Sequence, residues 1–149
     1  MERLLELPEE FAPAAPVVAE AAVDTVDISA NVYRAYQTLY FAFIAVFALA
    51  GLDKFVHLLS NWEQYVAPGF TRMSSFHGQF VASAAGIVEI ALAVIIAVRP
   101  RFGAWFAAGW LVFVEFNLIL HGGLLDIALF NAFFIAAAVA MGFLARECN

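Results

Sequence analysis

The chain has 149 residues, of which 64% are hydrophobic and only 13% are charged. Soluble domains carry about 25% charged residues and disordered chains need low hydrophobicity, so the composition argues against both classes. The formal net charge of −6 comes without a basic patch, which argues against nucleic-acid binding.

Residues 1–33 are predicted to form an acidic N-terminal tail. Residues 1–30 hold seven acidic residues and one arginine, so they account for the whole net charge of −6. Three of the five prolines also lie here. We interpret this tail as a flexible or partner-binding segment, in which residues 3–11 could form a short amphipathic helix.

Four apolar runs follow the tail, and each approaches the ~20 residues that a helix needs to cross a bilayer. They lie at 36–58, 80–98, 102–120 and 124–144. Because every backbone polar group must be hydrogen-bonded in lipid, runs of this length are expected to be helices. The predicted fold class is all-α, with residues 34–149 forming an integral membrane four-helix bundle.

The connections and basic residues predict how these helices are arranged. Short turns at 99–101 and 121–123 favour antiparallel neighbours, whereas residues 59–79 form a long loop. Lys54 and Arg72 lie on one side of the bundle. The other side holds the larger basic set: Arg3, Arg34, Arg99, Arg101 and Arg146. Basic residues favour the cytoplasmic side, so we expect both termini inside, in the inner membrane of a prokaryote.

Ionisable residues within the spans are candidates for function because a charge at bilayer depth is costly. The candidates for proton or charge coupling are Lys54, Glu89 and Glu115. By depth, Lys54 is expected to pair with Glu115 or Asp126, since Glu89 lies deeper. Two interpretations stay open: a pocket for a proton-coupled ligand such as a quinone, or interhelical hydrogen bonds that fix the helix register. Asp53 and Lys54 are also interpreted as interfacial anchors, whose polar ends reach the headgroups.

A quinone pocket would draw on residues at the outer ends of the spans. Its candidate lining residues are Trp62, Tyr65, His121 and Asp126. Trp62 and Tyr65 could stack on a quinone ring, although aromatic residues also serve as interfacial anchors. The sequence leaves the cofactor open, with a quinone as the candidate.

His57, His77 and His121 fall on the same predicted face and are weak candidates for metal ligands. Ligation needs side chains that converge, and His77 lies at a loop end, so neither a metal nor a haem site is expected. The chain also contains no nucleophile motif, phosphate loop or dinucleotide fingerprint. We expect it not to be catalytic alone.

Several short motifs resemble those of the DoxX-like small membrane proteins. Gly51-Leu52-Asp53-Lys54 is similar to the family's Gly-x-x-Lys segment, and Gly86-Ile87-Val88-Glu89 to its Gly-x-x-Glu signature. The basic turn at 98–101 is also similar, and Asp126 and Asn131 fall where the family's fourth helix begins. The resemblance covers residues 36–144. The chain departs from the pattern at Ala93, where the family often has glycine, and in its acidic tail and its long 59–79 loop.

The resemblance implies a small membrane subunit of a quinone-linked redox complex, similar to subunits of a thiosulfate–quinone oxidoreductase. Such a subunit would anchor partner subunits, contact the bilayer and line a quinone pocket. Two alternatives remain: a purely structural accessory subunit of a large membrane complex, and a small proton-coupled transporter.

Overall fold

A computed structural model describes residues 15–74 and 77–148, with side chains described for 29–72 and 77–148. The described residues are helical, with no strand among them, which confirms the all-α prediction. In chain order the elements are α1 (Ala15–Val56), a 3₁₀ helix (Trp62–Tyr65), α2 (Pro68–Ser74), α3 (Gly78–Val98), α4 (Pro100–His121) and α5 (Leu125–Cys148).

The chain divides into two compact units, one ending at Val32 and one beginning at Tyr33. Helix α1 begins at Ala15, so the later part of the predicted tail is helical. The predicted amphipathic helix at 3–11 lies outside the described residues. All the sites discussed below belong to the second unit.

Four helices among the described residues are long and apolar enough to cross a membrane. They are Ser29–Val56, Gly78–Val98, Pro100–His121 and Leu125–Cys148. Large apolar side chains on their outer faces are exposed, including Phe41 at 63% and Phe133 at 68%. An exposed apolar surface of this extent is suited to lipid contact rather than to water.

Short turns join α3 to α4 and α4 to α5, as predicted. Arg99 alone separates α3 from α4, and Pro100 opens α4 at a position where a missing backbone N–H costs nothing. Gly122 caps the C-terminus of α4, and its φ of 77° is the left-handed conformation that glycine adopts readily.

Small residues allow α4 and α5 to pack closely. Ala104, Ala107, Ala138 and Ala145 are fully buried at 0% exposure, together with Met141. Without a hydrophobic driving force between helices in lipid, such close backbone approach is the main source of packing energy.

The segment between the first two spans is more ordered than the predicted loop at 59–79. It contains the 3₁₀ helix and α2, and the Asn61 side chain caps the 3₁₀ helix by accepting a hydrogen bond from the backbone N–H of Glu63 at 3.2 Å. This segment lies over one end of the bundle and helps to form the site.

Candidate functional site

The site is built around a close crossing of α1 and α3 at two glycines. A Cβ atom placed on Gly86 would lie only 2.8 Å from the carbonyl oxygen of Gly51. A Cβ atom on Gly51 would lie 2.8 Å from the Ile90 side chain. The two backbones are therefore in contact at this point, and a larger residue at either glycine would force them apart.

A buried ion pair lies beside the glycine crossing. Lys54 Nζ donates a hydrogen bond to Glu89 Oε2 at 2.6 Å, and the two side chains are only 8% and 10% exposed. Each charged residue follows its glycine by three positions, so it lies on the same face of its helix. The two Gly-x-x-charge motifs noted in the sequence thus meet as one unit.

This pairing differs from the one expected from depth alone. Lys54 pairs with Glu89 rather than with Glu115 or Asp126. The close crossing brings Lys54 against Gly86, one turn from Glu89, and the flexible lysine stem spans the remaining distance.

Trp62 covers the ammonium group of Lys54. The Lys54 Nζ atom lies 3.7 Å from the centre of the indole ring, within the range of a cation–π interaction. The indole Nε1–H in turn donates to Asp53 Oδ2 at 2.7 Å. The ring is therefore held by the two consecutive residues Asp53 and Lys54, and the ammonium lies between an aromatic face and a carboxylate.

Asp53 binds the backbone of the segment that follows α1. Its burial differs from the interfacial position expected from the sequence. Its side chain is buried at 3% exposure and accepts hydrogen bonds from the backbone N–H groups of Leu58 and Leu59 at 2.9 Å and of Ser60 at 3.3 Å. These backbone donors have just left the helix and need acceptors. Asp53 thereby fixes the path of the chain toward Trp62.

Two asparagines join the other elements around the site. Asn117 of α4 accepts from the backbone N–H of Ala67 at 3.0 Å and donates to the carbonyl of Tyr65 at 2.7 Å. Asn131 of α5 donates through Nδ2 to the Leu111 carbonyl at 3.0 Å and to Glu115 Oε2 at 2.9 Å. Since both acceptors bind the amide nitrogen, the Oδ1 atom of Asn131 is the one left for another donor.

These elements enclose a cavity of about 450 Å³. Apolar and aromatic side chains make up most of its wall, including Phe43, Phe47, Phe70, Trp110, Leu111, Phe113, Leu118, Ile127, Phe130 and Phe134. Its polar lining residues are Lys54, Ser60, Trp62, Tyr65, Glu89, Asn117 and Asn131. An apolar cavity with a few convergent polar groups is the usual form of a small-molecule site.

Residues of α1, α4 and α5 that line the cavity also reach the outer surface of the described chain. Four of its lining residues are also exposed on the outer surface: Val46 at 45%, Phe113 at 48%, Phe130 at 66% and Phe134 at 47%. A lipophilic molecule in the bilayer would therefore meet an apolar entrance.

The other residues singled out in the sequence take different positions. Of the predicted pocket residues, Trp62 and Tyr65 line the cavity, whereas His121 and Asp126 do not. Glu115 lies behind the wall and reaches it through Asn131. His57 pairs with Gln79 at 2.9 Å, and among the described residues no three His, Cys, Asp or Glu side chains are placed to hold a metal ion.

Two buried donor or acceptor atoms have no hydrogen-bond partner within the described part of the chain. They are the Nε1 atom of Trp110 and the Nδ1 atom of His121. Trp110 is also one of the residues that line the cavity.

The chain matches no family model, and neither a curated protein nor a solved structure matches it. The candidate site therefore depends on the geometry described above.

Proposed function

We propose that this protein is a small integral membrane protein that binds a quinone-type molecule from the bilayer. The observation that carries the proposal is the buried Lys54–Glu89 pair in the wall of a largely apolar cavity, some of whose lining residues are also exposed on the outer surface of the spans. A quinone combines an apolar ring and tail with a polar head, which matches both parts of such a cavity.

The polar groups of the wall suit both redox forms of a quinone. The ammonium of Lys54 can donate to a carbonyl oxygen, and Glu89 and the Oδ1 atom of Asn131 can accept from a hydroxyl group. Trp62 and Tyr65 add aromatic faces on which a flat ring can pack. The same wall can therefore hold the molecule before and after it gains two electrons and two protons.

A redox complex is the setting in which we place this binding. In this setting a partner subunit would supply the electrons that reduce the quinone. The resemblance of Gly51–Lys54 and Gly86–Glu89 to DoxX-like motifs supports a membrane subunit of this kind. In this proposal the protein anchors its partner and holds the quinone.

The distribution of arginine supports one orientation. Arg34, Arg99, Arg101 and Arg146 lie toward one end of the spans, whereas Arg72 lies toward the other. Lys54 is buried in its ion pair and adds little to the opposite side. By the positive-inside rule, we place the arginine-rich end in the cytoplasm of a prokaryotic cell.

Filling the cavity should weaken quinone binding. Ala85 lines the cavity, whereas its neighbour Ala84 is exposed on the outer face of α3. We expect Ala85→Phe to weaken binding of a short-chain benzoquinone by about tenfold or more, because the new ring occupies the ligand's space. The measurement is quenching of tryptophan fluorescence in the purified chain, reconstituted in lipid nanodiscs.

Ala84→Phe is the matched control, since it adds the same ring to the same helix outside the cavity. It should bind the quinone as the unaltered protein does. Equal affinities for all three proteins would contradict binding in this cavity, and no binding by any of them would favour a purely structural subunit.

Purification from the native membrane in mild detergent tests the subunit proposal separately. We expect a redox-active protein to co-purify, together with a quinone in the lipid extract, as identified by mass spectrometry. A chain that purifies alone, without a quinone, would contradict the assignment to a redox complex.

A further inference from the structure

Two acceptor oxygens in the residues that line the cavity have no hydrogen-bond partner within the described part of the chain. Glu89 accepts from Lys54 Nζ through Oε2 at 2.6 Å, which leaves its Oε1 atom. Asn131 uses Nδ2 for both of its hydrogen bonds, which leaves its Oδ1 atom. Glu89 lies on α3 and Asn131 on α5, and both line the cavity. The site therefore offers acceptors from two different helices.

Both oxygens are accessible rather than sealed among side chains. Within the described residues, the fully buried side-chain atoms without a partner are Trp110 Nε1 and His121 Nδ1, and these two oxygens are not among them. Glu89 and Asn131 are only 7% and 9% exposed as whole residues. Since both line the cavity, a molecule inside it can reach the two oxygens.

The amide of Asn131 has its orientation fixed from behind. Its Nδ2 atom donates to the backbone carbonyl of Leu111 at 3.0 Å and to Glu115 Oε2 at 2.9 Å. A backbone carbonyl and a carboxylate accept hydrogen bonds and do not donate them, so the nitrogen and not the oxygen must face both groups. Glu115 does not line the cavity, and it acts as a positioning residue that keeps Asn131 Oδ1 as an acceptor.

We propose that the cavity binds the reduced, dihydroxy form of its ligand more tightly than the oxidised quinone, an inference that rests on the function proposed above. A hydroxyl group both donates and accepts hydrogen bonds, whereas a quinone carbonyl only accepts them. The reduced ligand can donate to Glu89 Oε1 and Asn131 Oδ1 and can still accept from the Lys54 ammonium. The oxidised ligand leaves both acceptors, one of them charged, without a partner in a filled cavity, which weakens binding.

This preference changes the redox potential of the bound ligand. Tighter binding of the reduced form stabilises the product of reduction, so it raises the midpoint potential. For a couple of two electrons, a tenfold difference in affinity raises the potential by about 30 mV. The cavity therefore favours uptake of electrons by the molecule that it holds.

Titration of both redox forms tests the preference. The probes are a short-chain benzoquinone and the hydroquinone with the same substituents, added anaerobically to the full chain in lipid nanodiscs and followed by calorimetry. We expect the hydroquinone to bind the unaltered protein about tenfold or more tightly than the benzoquinone. Asn131→Leu, which removes the amide and keeps a similar volume, should lower this ratio of affinities by about fivefold. A general loss of packing would weaken both forms alike and leave the ratio unchanged.

Glu115→Gln tests the positioning role without changing the lining of the cavity. A glutamine amide can donate to Asn131 Oδ1, so Asn131 is no longer held in one orientation. We expect the ratio of affinities to fall, by less than in Asn131→Leu. Asn31→Leu is the matched control, because Asn31 is exposed and does not line the cavity. It should keep the ratio of the unaltered protein.

The outcomes separate this inference from the function on which it rests. Equal affinities of the unaltered protein for the two forms would overturn the inference and leave binding in the cavity intact. A full ratio in Asn131→Leu would also overturn it, and so would an equal fall in Asn31→Leu. Binding of neither form by the unaltered protein would contradict the proposed function itself, and the inference with it.

Discussion

Replacing Glu89 with leucine should lower the free energy of unfolding by about 3–5 kcal/mol. The substitution removes the carboxylate that accepts from Lys54 at 2.6 Å and leaves a buried ammonium without its counter-charge. The ring of Trp62 remains over the ammonium, but a cation–π contact replaces only part of the lost interaction. The measurement is equilibrium unfolding in mixed micelles, followed by circular dichroism.

The double variant Lys54→Met with Glu89→Leu is the control for this prediction. It removes both charges and keeps similar side-chain volumes, so it should recover most of the stability lost by Glu89→Leu. If the double variant is as unstable as the single one, packing rather than an unpaired charge accounts for the loss.

Replacing Gly86 with alanine should destabilise the protein by about 1–3 kcal/mol and separate α1 from α3. The added Cβ would lie 2.8 Å from the Gly51 carbonyl oxygen and 3.0 Å from both the Lys54 and Phe55 side chains. The closest of these atoms belongs to backbone, so a helix must move to make room. Unfolding in mixed micelles measures the loss of stability.

Gly109→Ala provides the matched control on another span. A Cβ atom at Gly109 would meet no atom within 4 Å, so alanine should be neutral or stabilise the helix by up to about 1 kcal/mol. Equal effects at the two positions would contradict a close crossing at Gly86, since a general response to alanine would then explain both.

The spans could be predicted from the sequence because length and hydropathy are local properties. Helices α3 and α4 begin and end within two residues of the predicted runs, at Gly78–Val98 and Pro100–His121. The start of the first helix was harder to predict because α1 continues back to Ala15, well before the apolar run that marks the span. Hydropathy locates the part of a helix that can cross lipid, but it does not locate the first residue of a helix that extends beyond the membrane.

The partner of Lys54 could not be predicted from the depth of each ionisable residue along its span. That estimate treats helices as equally spaced and favours Glu115 or Asp126. The actual pairing follows from the contact at Gly51 and Gly86, which sets the register of α1 on α3. The signal was present in the two matching Gly-x-x-charge motifs, because a glycine and a charge three residues apart share one helix face.

Asp53 and Asn117 were harder to recognise as residues that shape the site. Both hold backbone groups of the segment between the first two spans, and the relevant donors and acceptors belong to that irregular segment. A sequence pattern does not specify where such a segment passes over a bundle. Trp62 and Tyr65, by contrast, were singled out for their aromatic character, and both line the cavity.

Quinone titration of the Lys54→Met, Glu89→Leu double variant tests the central claim most directly. This variant should remain folded, so its affinity reports on the two polar side chains rather than on stability. We expect binding of a short-chain benzoquinone to weaken by about tenfold or more, because the ammonium and carboxylate that would hold its head are gone. An affinity equal to that of the unaltered protein would contradict recognition by the Lys54–Glu89 pair.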